Sequence, residues 1–263
     1  MIHVVISGAA GRMGRTLVRL THESEGLQLV GAVEAAGHPN LGSDAGVLAG
    51  VGELKIPVLD ALPEKFDVCV DFSLPEGSIQ RIEACAARAA PCVVGTTGFT
   101  AEQRARIKAA SAKTAVVLSP NMSVGVNVLF HAAAELARTL GPDYDIEIVE
   151  AHHRFKKDAP SGTALKVAEE IAKATGRNLA EAAVHGRGPG HPPRKAGEIG
   201  IHAVRGGDSV GEHVIYYTAL GERLELKHVA HSRDTFARGA LRAARWVADR
   251  GPGLYSMADV LGL

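Results

Sequence analysis

Ile2-His-Val-Val-Ile-Ser-Gly-Ala-Ala-Gly-Arg-Met-Gly14 is the stretch on which the reading of the fold turns. Its first half is a short β-branched run, the pattern of a parallel strand buried on both faces. Its second half is a turn of small residues, after which Met13, Leu17 and Leu20 recur at helical spacing. Gln28-Leu-Val-Gly-Ala-Val-Glu34 then reads as a second strand, completing a βαβ unit. The turn from Gly8 to Gly14 is a variant dinucleotide fingerprint, with Ala10 where the commonest form has glycine. Small residues let the backbone approach a pyrophosphate, which sits on the N–H groups and positive dipole end of the following helix. Glu34, at the end of the second strand, stands where a carboxylate accepts hydrogen bonds from ribose hydroxyls.

Outward from this unit the βα rhythm continues. Residues 37–65 are rich in Gly and Pro and read as a long irregular connection with a short strand near 56–58. Strands are expected over 67–72, 92–94 and 115–118, and helices over 75–89 and 101–112. Ligands of open α/β sheets lie outside the carboxyl ends of the strands. Gly95-Thr-Thr-Gly-Phe99 and Ser119-Pro-Asn-Met122 emerge at such ends, so Gly95, Thr96, Thr97, Ser119, Pro120, Asn121 and Met122 are candidates to line a cofactor.

Beyond residue 123 the pattern changes. A helix over 128–140 stops at Gly141-Pro142, and 144–152 alternates like a strand with one covered face. Then comes Glu150-Ala-His-His-Arg-Phe-Lys-Lys-Asp-Ala-Pro-Ser-Gly-Thr163, which leads into a helix over 163–175. It places two imidazoles, which titrate near neutral pH, beside ammonium groups and a Ser-Gly-Thr turn whose N–H groups suit an anion. Adjacent residues of a strand point to opposite faces, so His152 and His153 cannot share one task unless the strand has ended.

Residues 186–197 are too rich in Gly and Pro for regular structure and read as a solvated, mobile loop. Strands over 198–205, 212–220 and 222–230 follow, and their apolar residues Val214, Ile215, Tyr217, Leu224 and Leu226 suggest an open sheet face buried against a partner subunit. An amphipathic helix over 235–250 has the N-terminal sheet as its natural host.

The expected fold is therefore α/β: a Rossmann-like dinucleotide-binding domain with a parallel sheet (1–122), and an inserted α+β domain with an open mixed sheet for substrate and oligomerisation (123–232). The C-terminal helix (233–263) returns to the first domain. The two crossings would act as hinges, bringing the His-His stretch across a cleft from the Gly8–Gly14 turn on closure.

Lys+Arg and Asp+Glu are 29 each among 263 residues, so no net field draws the whole chain to nucleic acid or membrane. The three cysteines fit no metal spacing and point to a reducing compartment. No apolar run approaches the ~20 residues that span a bilayer, and Met1-Ile-His lacks the flanks of a secretory signal. A cytoplasmic protein is expected.

The motifs above, with Asn121-Met-Ser-Val-Gly-Val-Asn127, Arg205-Gly-Gly-Asp208 and Gly211-Glu-His213, resemble the 4-hydroxy-tetrahydrodipicolinate reductase family over nearly the whole chain. The resemblance implies NADH- or NADPH-dependent reduction of a cyclic dicarboxylate in lysine and diaminopimelate biosynthesis. It implies His152 as proton donor or acceptor, Lys156 as a second proton donor, and His153, Gly162 and Thr163 as binders of the substrate carboxylates. Gly8, Ala9, Ala10, Gly11, Arg12, Met13, Glu34, Gly95 to Thr97 and Ser119 to Met122 would line the cofactor, and the assembly would be a homotetramer built through the second-domain sheet. Ala35 and Ala36 stand where members that accept NADPH well often carry a basic residue, so NADH is the expected preference, with Arg12 a possible rescue for NADPH.

Other readings remain at this point. One is a metal held by Glu150, His152 and His153, although no metal expectation is drawn because no His-Glu-x-x-His spacing supports it. Another is a dehydrogenase of a different small anionic substrate, such as a semialdehyde or sugar acid; a third is a non-enzymatic dinucleotide sensor. A fold can host all three, so the site must decide.

Overall fold

The computed structural model describes residues 1–263, and the chain divides into two compact units, Met1–Val124 with Asp234–Leu263, and Gly125–Arg233. In the first unit the order is β1 (Ile2–Ser7), α1 (Arg12–His22), β2 (Leu27–Val33), α2 (Ala45–Ala49), β3 (Val58–Leu59), β4 (Val68–Asp71), α3 (Pro75–Ala86), β5 (Cys92–Val94), α4 (Ala101–Ser111) and β6 (Ala115–Leu118). The second unit holds α5 (Val124–Leu140), β7 (Asp145–His152), α6 (Gly162–Ala174), α7 (Leu179–Ala182), β8 (Ala183–His185), β9 (Ile199–Arg205), β10 (Gly211–Ala219) and β11 (Glu222–Ala230). The chain ends with α8 (Asp234–Val247), β12 (Gly253–Tyr255) and α9 (Met257–Leu261), which belong to the first unit.

The first unit is a seven-stranded sheet of order β12-β6-β5-β4-β1-β2-β3, parallel at every pairing. Strands buried on both faces must be apolar throughout, and Val4, Val5, Ile6, Val68, Cys69, Val70, Val93 and Val94 all have zero exposure. One face packs on α1 and on α8, whose Ala237, Ala240, Leu241, Ala243, Ala244 and Val247 are buried in the same cluster as Leu17 and Leu20. The other face packs on Ile79 and Ile82 of α3 and Ile107 of α4. The chain reverses its direction of progress along the sheet between β1 and β4, the kind of switch point at which open sheets bind ligands. The connection after β2 is less irregular than its composition suggests. Asp44 caps α2 by accepting the Val47 amide, and its two oxygens also take the amides of Leu54 and Ile56.

The second unit is a mixed sheet of order β11-β10-β7-β9-β8. β10 pairs antiparallel with β7 and β11, while β9 runs parallel to β7 and β8. Helices α5 and α6 cover one face, through Leu129, Phe130 and Ala133 of α5 and Val167, Ala168 and Ile171 of α6. Burying a side chain of the size of Ile148 or Ile215 contributes about 1.5–3 kcal/mol, and this layer holds the unit's cluster of buried apolar residues.

Two expectations from the sequence need correction. Ile215 stands opposite Leu226 and Tyr217 opposite Leu224, so these four lie on the helix side of the sheet, where Ile215, Tyr217 and Leu226 pack in the α5–α6 cluster and Leu224 on the edge strand stays exposed. Tyr217 even donates its hydroxyl to the Ala133 carbonyl of α5 at 2.7 Å. Strand alternation reveals an apolar face but not the helices that cover it; of the five residues, only Val214 lies on the helix-free face. The loop 186–197 is also not simply solvated. Arg187 and Arg194 both bind the Glu147 carboxylate, at 2.7 and 3.0 Å, and His202 meets its other oxygen at 2.6 Å. A Cβ on residue 200 would lie 1.8 Å from that carboxylate, which accounts for Gly200 in mid-strand.

Candidate active site

In the first unit, the turn after β1 is shaped by atoms that are missing. Gly8 has φ +76°, and a Cβ there would meet the Phe72 carbonyl oxygen at 2.5 Å. A Cβ on Gly14 would lie 1.9 Å from the Gly8 carbonyl oxygen, so helix α1 can start this close to the strand only with glycine. Position 10 tolerates alanine: Ala10 is buried, and its amide donates to Glu34 Oε1 at 2.8 Å. Gly8, Ala10, Gly11 and Glu34 line a cavity of about 900 Å³, together with Arg15, Ala35, Ala36, His38 and Arg81. That volume suits a nucleotide-sized ligand. The glycine cradle, the helix N-terminus and the carboxylate together fit a dinucleotide.

The remaining candidates in this unit fall into two groups. Arg12 and Met13 open α1, with Arg12 exposed, and Ala9 is buried behind the turn. At the ends of β5 and β6, Gly95 lies so close to the Phe72 ring that a Cβ would approach to 2.3 Å. Thr96 is buried and donates to Asp71 Oδ2 at 2.9 Å, while Thr97 is exposed. Ser119 donates to the Asn121 carbonyl at 2.8 Å, Asn121 Oδ1 accepts the Ser123 amide, and Pro120 is exposed. The Met122 side chain is 1% exposed and belongs to the core, so its backbone is what it can offer a ligand. These residues do not line the 900 Å³ cavity.

In the second unit, β7 places Ile146, Ile148, Glu150 and His152 on the helix-covered face, and the strand ends at His152. His153 therefore lies beyond the alternation, its amide donating to the Ser209 carbonyl at 2.9 Å. Glu150 has zero exposure, and both of its oxygens have close polar partners. Arg205 Nη1 and Nη2 each reach one oxygen at 2.7 Å, the Ser161 amide reaches Oε1 at 3.0 Å, and His152 Nδ1 lies 2.6 Å from Oε2. Burial pushes the Glu150 carboxyl up, but Arg205, His152 and the Ser161 amide outweigh it and hold it below the usual range. Burial drives the His152 imidazole down; Glu150 opposes this, while Lys156 and Arg205 reinforce it.

Lys156 lies in the following loop and pairs with Asp158 at 2.9 Å. Ser161 caps α6 by accepting the Ala164 amide, so Gly162 and Thr163 form the first helical turn, with Gly162 exposed. His213 of β10 meets Ser161 Oγ at 3.1 Å and stands edge-on to His152 at 5.2 Å. Burial first, then the nearby His152, lowers its pKa to about 4. No group of three or more His, Cys, Asp and Glu side chains sits at metal-ligating spacing.

Sequence reasoning gave Asp71 no role, and it met Ser161, Arg205 and His213 only inside motifs, without placing their side chains in these networks. Period-two alternation was a usable signal for Glu150 and His152, which share a face. Arg205 is opposite His152 only through the β7–β9 register, and His213 opposite Glu150 only through β7–β10, and no single-strand pattern reveals either pairing.

A Rossmann-like unit with a dinucleotide cradle, followed by a unit bearing a braced histidine, a lysine and a helix N-terminus, defines the class of pyridine-nucleotide-dependent oxidoreductases with a separate substrate unit. Comparison narrows this. Residues 2–122 match the family model described as dihydrodipicolinate reductase, N-terminus, and residues 125–261 match its C-terminus. Relatives named 4-hydroxy-tetrahydrodipicolinate reductase include those of Geotalea daltonii (49% identical) and Syntrophotalea carbinolica (51% identical), each covering 100% of both chains. A solved dipicolinate-bound dihydrodipicolinate reductase from Paenisporosarcina sp. TG-14 matches with a TM-score of 0.78 and 25% identity over 98% of each chain. The chain belongs to the dihydrodipicolinate (4-hydroxy-tetrahydrodipicolinate) reductase family.

Proposed function

We propose that this chain reduces 4-hydroxy-tetrahydrodipicolinate to tetrahydrodipicolinate with loss of water, in lysine and diaminopimelate biosynthesis, and that His152 and Lys156 manage the proton. The observation that carries this reading is the buried, carboxylate-braced His152, in a chain similar along its whole length to reductases of that name. A bound NADH or NADPH supplies the hydride. Its arrival at a carbon conjugated to an imine leaves negative charge that a proton must follow, and an imidazole titrating near neutrality suits that step. In the free chain burial favours neutral His152; a dianionic substrate beside it raises the proton's affinity when the proton is needed. Lys156 stabilises the developing charge, and His153 with the first turn of α6 at Gly162 and Thr163 holds the carboxylates.

The cofactor lies on Gly8 to Met13, with Glu34 on the adenosine ribose and with Gly95–Thr97 and Ser119–Met122 towards the nicotinamide. NADH is preferred, because Ala35 and Ala36 bring no cation to a 2′-phosphate that would meet Glu34. Arg15 and Arg81 line the same cavity, so the preference is one of degree. The chain assembles as a homotetramer through the helix-free face of the five-stranded sheet and works in the cytoplasm. Three unpaired cysteines and the lack of any helix able to cross a membrane support that location.

The experiment is oxidation of NADH and NADPH with substrate made in situ by condensing pyruvate with aspartate semialdehyde. Turnover with both and a lower KM for NADH is expected. No oxidation of either cofactor refutes the reaction, and a clear NADPH preference refutes the cofactor reading. Light scattering on the purified chain tests the tetramer.

A further inference from the structure

The contacts of Glu150 settle more than its burial. A carboxylate has two oxygens and about four lone-pair directions. Here each oxygen has two partners: Arg205 Nη2 and the Ser161 amide at Oε1, Arg205 Nη1 and His152 Nδ1 at Oε2. Arginine and a backbone amide can only donate, and together with His152 they outweigh burial and hold the carboxyl below its usual range, so the group is an ionised acceptor. Nδ1 of His152, 2.6 Å from that acceptor, then carries a hydrogen in either charge state, and Nε2 is the nitrogen that gains and loses the exchangeable proton. Nε2 faces Gly211, where a Cβ would come within 2.9 Å of it and within 3.3 Å of Cδ2. Glycine at the start of β10 is thus what leaves room for that side of the ring.

We propose that Glu150, clamped by Arg205, is a positioning residue that fixes the His152 tautomer and makes Nε2 the proton-delivering atom, with Gly211 keeping that atom accessible. This rests on His152 as the proton donor. The same carboxylate holds the amide of Ser161, the N-cap of α6, so one buried group sets both the proton donor and the turn that meets the substrate. The ionic groups facing His152 are Glu150 from its own strand, Arg205 from β9, Lys156 with its partner Asp158 from the loop, and His213 from β10, on which His228 of β11 also acts. Glu150 favours the imidazolium, while burial, Lys156 and Arg205 oppose it.

Removing the Glu150 charge therefore has a direction. In Glu150→Gln the basic limb of the kcat–pH profile, where the proton donor is lost, should move to lower pH by about one unit. kcat should fall about tenfold, less than the ~10²–10⁴ of losing the donor itself, with a smaller change in the substrate KM. Glu150→Asp, which keeps the charge but shortens the reach, should restore the limb toward its wild-type position. Gly211→Ala pushes on the His152 ring while leaving the Arg205 and Ser161 contacts of Glu150 in place, and should lower kcat about tenfold without changing NADH affinity. Nitrogen-15 NMR of histidine-labelled wild-type enzyme should show the Nδ1–H tautomer at His152; an Nε2–H tautomer overturns the proposal even if Glu150→Gln does not fold. An unmoved basic limb in folded Glu150→Gln also overturns it. His152→Gln, run alongside, separates the two ideas. Full turnover there removes His152 as donor, whereas lost turnover there with a wild-type limb in Glu150→Gln removes only the positioning role.

Discussion

The loop that leaves β1 and the loop that leaves β7 hold equivalent places in their units. Each follows the carboxyl end of an interior strand, and each leads into a helix N-terminus. They are made of opposite materials. The first is defined by backbone and by side chains it lacks: Gly8 and Gly14 stand where a Cβ would strike a carbonyl oxygen. The second is defined by ionisable side chains taken out of water, with Glu150 saturated by Arg205, Ser161 and His152. A loop that only holds a phosphate needs space and amides. A loop that moves a proton needs charges whose balance sets a pKa, and such charges are stable in the interior only when fully partnered.

The contrast predicts different failures. The largest effect is expected in the first loop: Gly14→Ala puts a methyl 1.9 Å from the Gly8 carbonyl oxygen, and the helix must move away from the strand. A loss of at least about 4 kcal/mol in urea unfolding is expected, with NADH binding abolished. A stable variant that binds NADH normally would break the steric account. Next comes Lys156→Ala in the second loop. Loss of its ammonium should lower kcat/KM by about 10²–10³ while the NADH dissociation constant stays put. An equal loss of NADH affinity would show that the division of labour is misdrawn.

A pH titration of stability sharpens the same contrast. His213 is held neutral, with its pKa lowered to about 4 from an unfolded value near 6.5, so below pH 6.5 the unfolded chain binds a proton the folded chain refuses. Stability should fall as pH drops from 6.5 to about 4 and level off below, by about 3 kcal/mol from this residue. His152 and His228, also lowered by burial, act in the same direction. Glu150 is held below the usual range, so the stability it contributes is lost only at lower pH, as its folded carboxyl titrates. His213→Asn should flatten the decline between pH 6.5 and 4 in urea melts; an unchanged slope would contradict the assignment. The smallest effect belongs to the cofactor cavity. Ala35→Arg supplies a cation beside Glu34 and should lower the NADPH KM about tenfold with little change for NADH.

How much of this was legible beforehand depends on how local its cause is. β1, β5 and β6 match the strands read from their β-branched runs residue for residue, because a strand buried on both faces needs no partner to be recognised. The short β12 and α9 carried no such run: Gly253-Leu-Tyr255 is a strand because it pairs with β6. The open apolar face was misread for the same reason, since covering by α5 and α6 is a tertiary fact. In the candidate site, the glycine turn announced itself through composition. The pairing of Arg205 with Glu150 spans residues far apart in sequence and follows from the β7–β9 register, which nothing in either strand encodes alone.

The central claim is that the second unit supplies the proton and the first holds the source of the hydride, and one variant tests it most directly. In His152→Gln, kcat with substrate formed from pyruvate and aspartate semialdehyde should fall by about 10²–10⁴, while the NADH dissociation constant, read by fluorescence titration, remains at its wild-type value. Wild-type kcat in that variant, or a loss confined to NADH binding, would contradict the account.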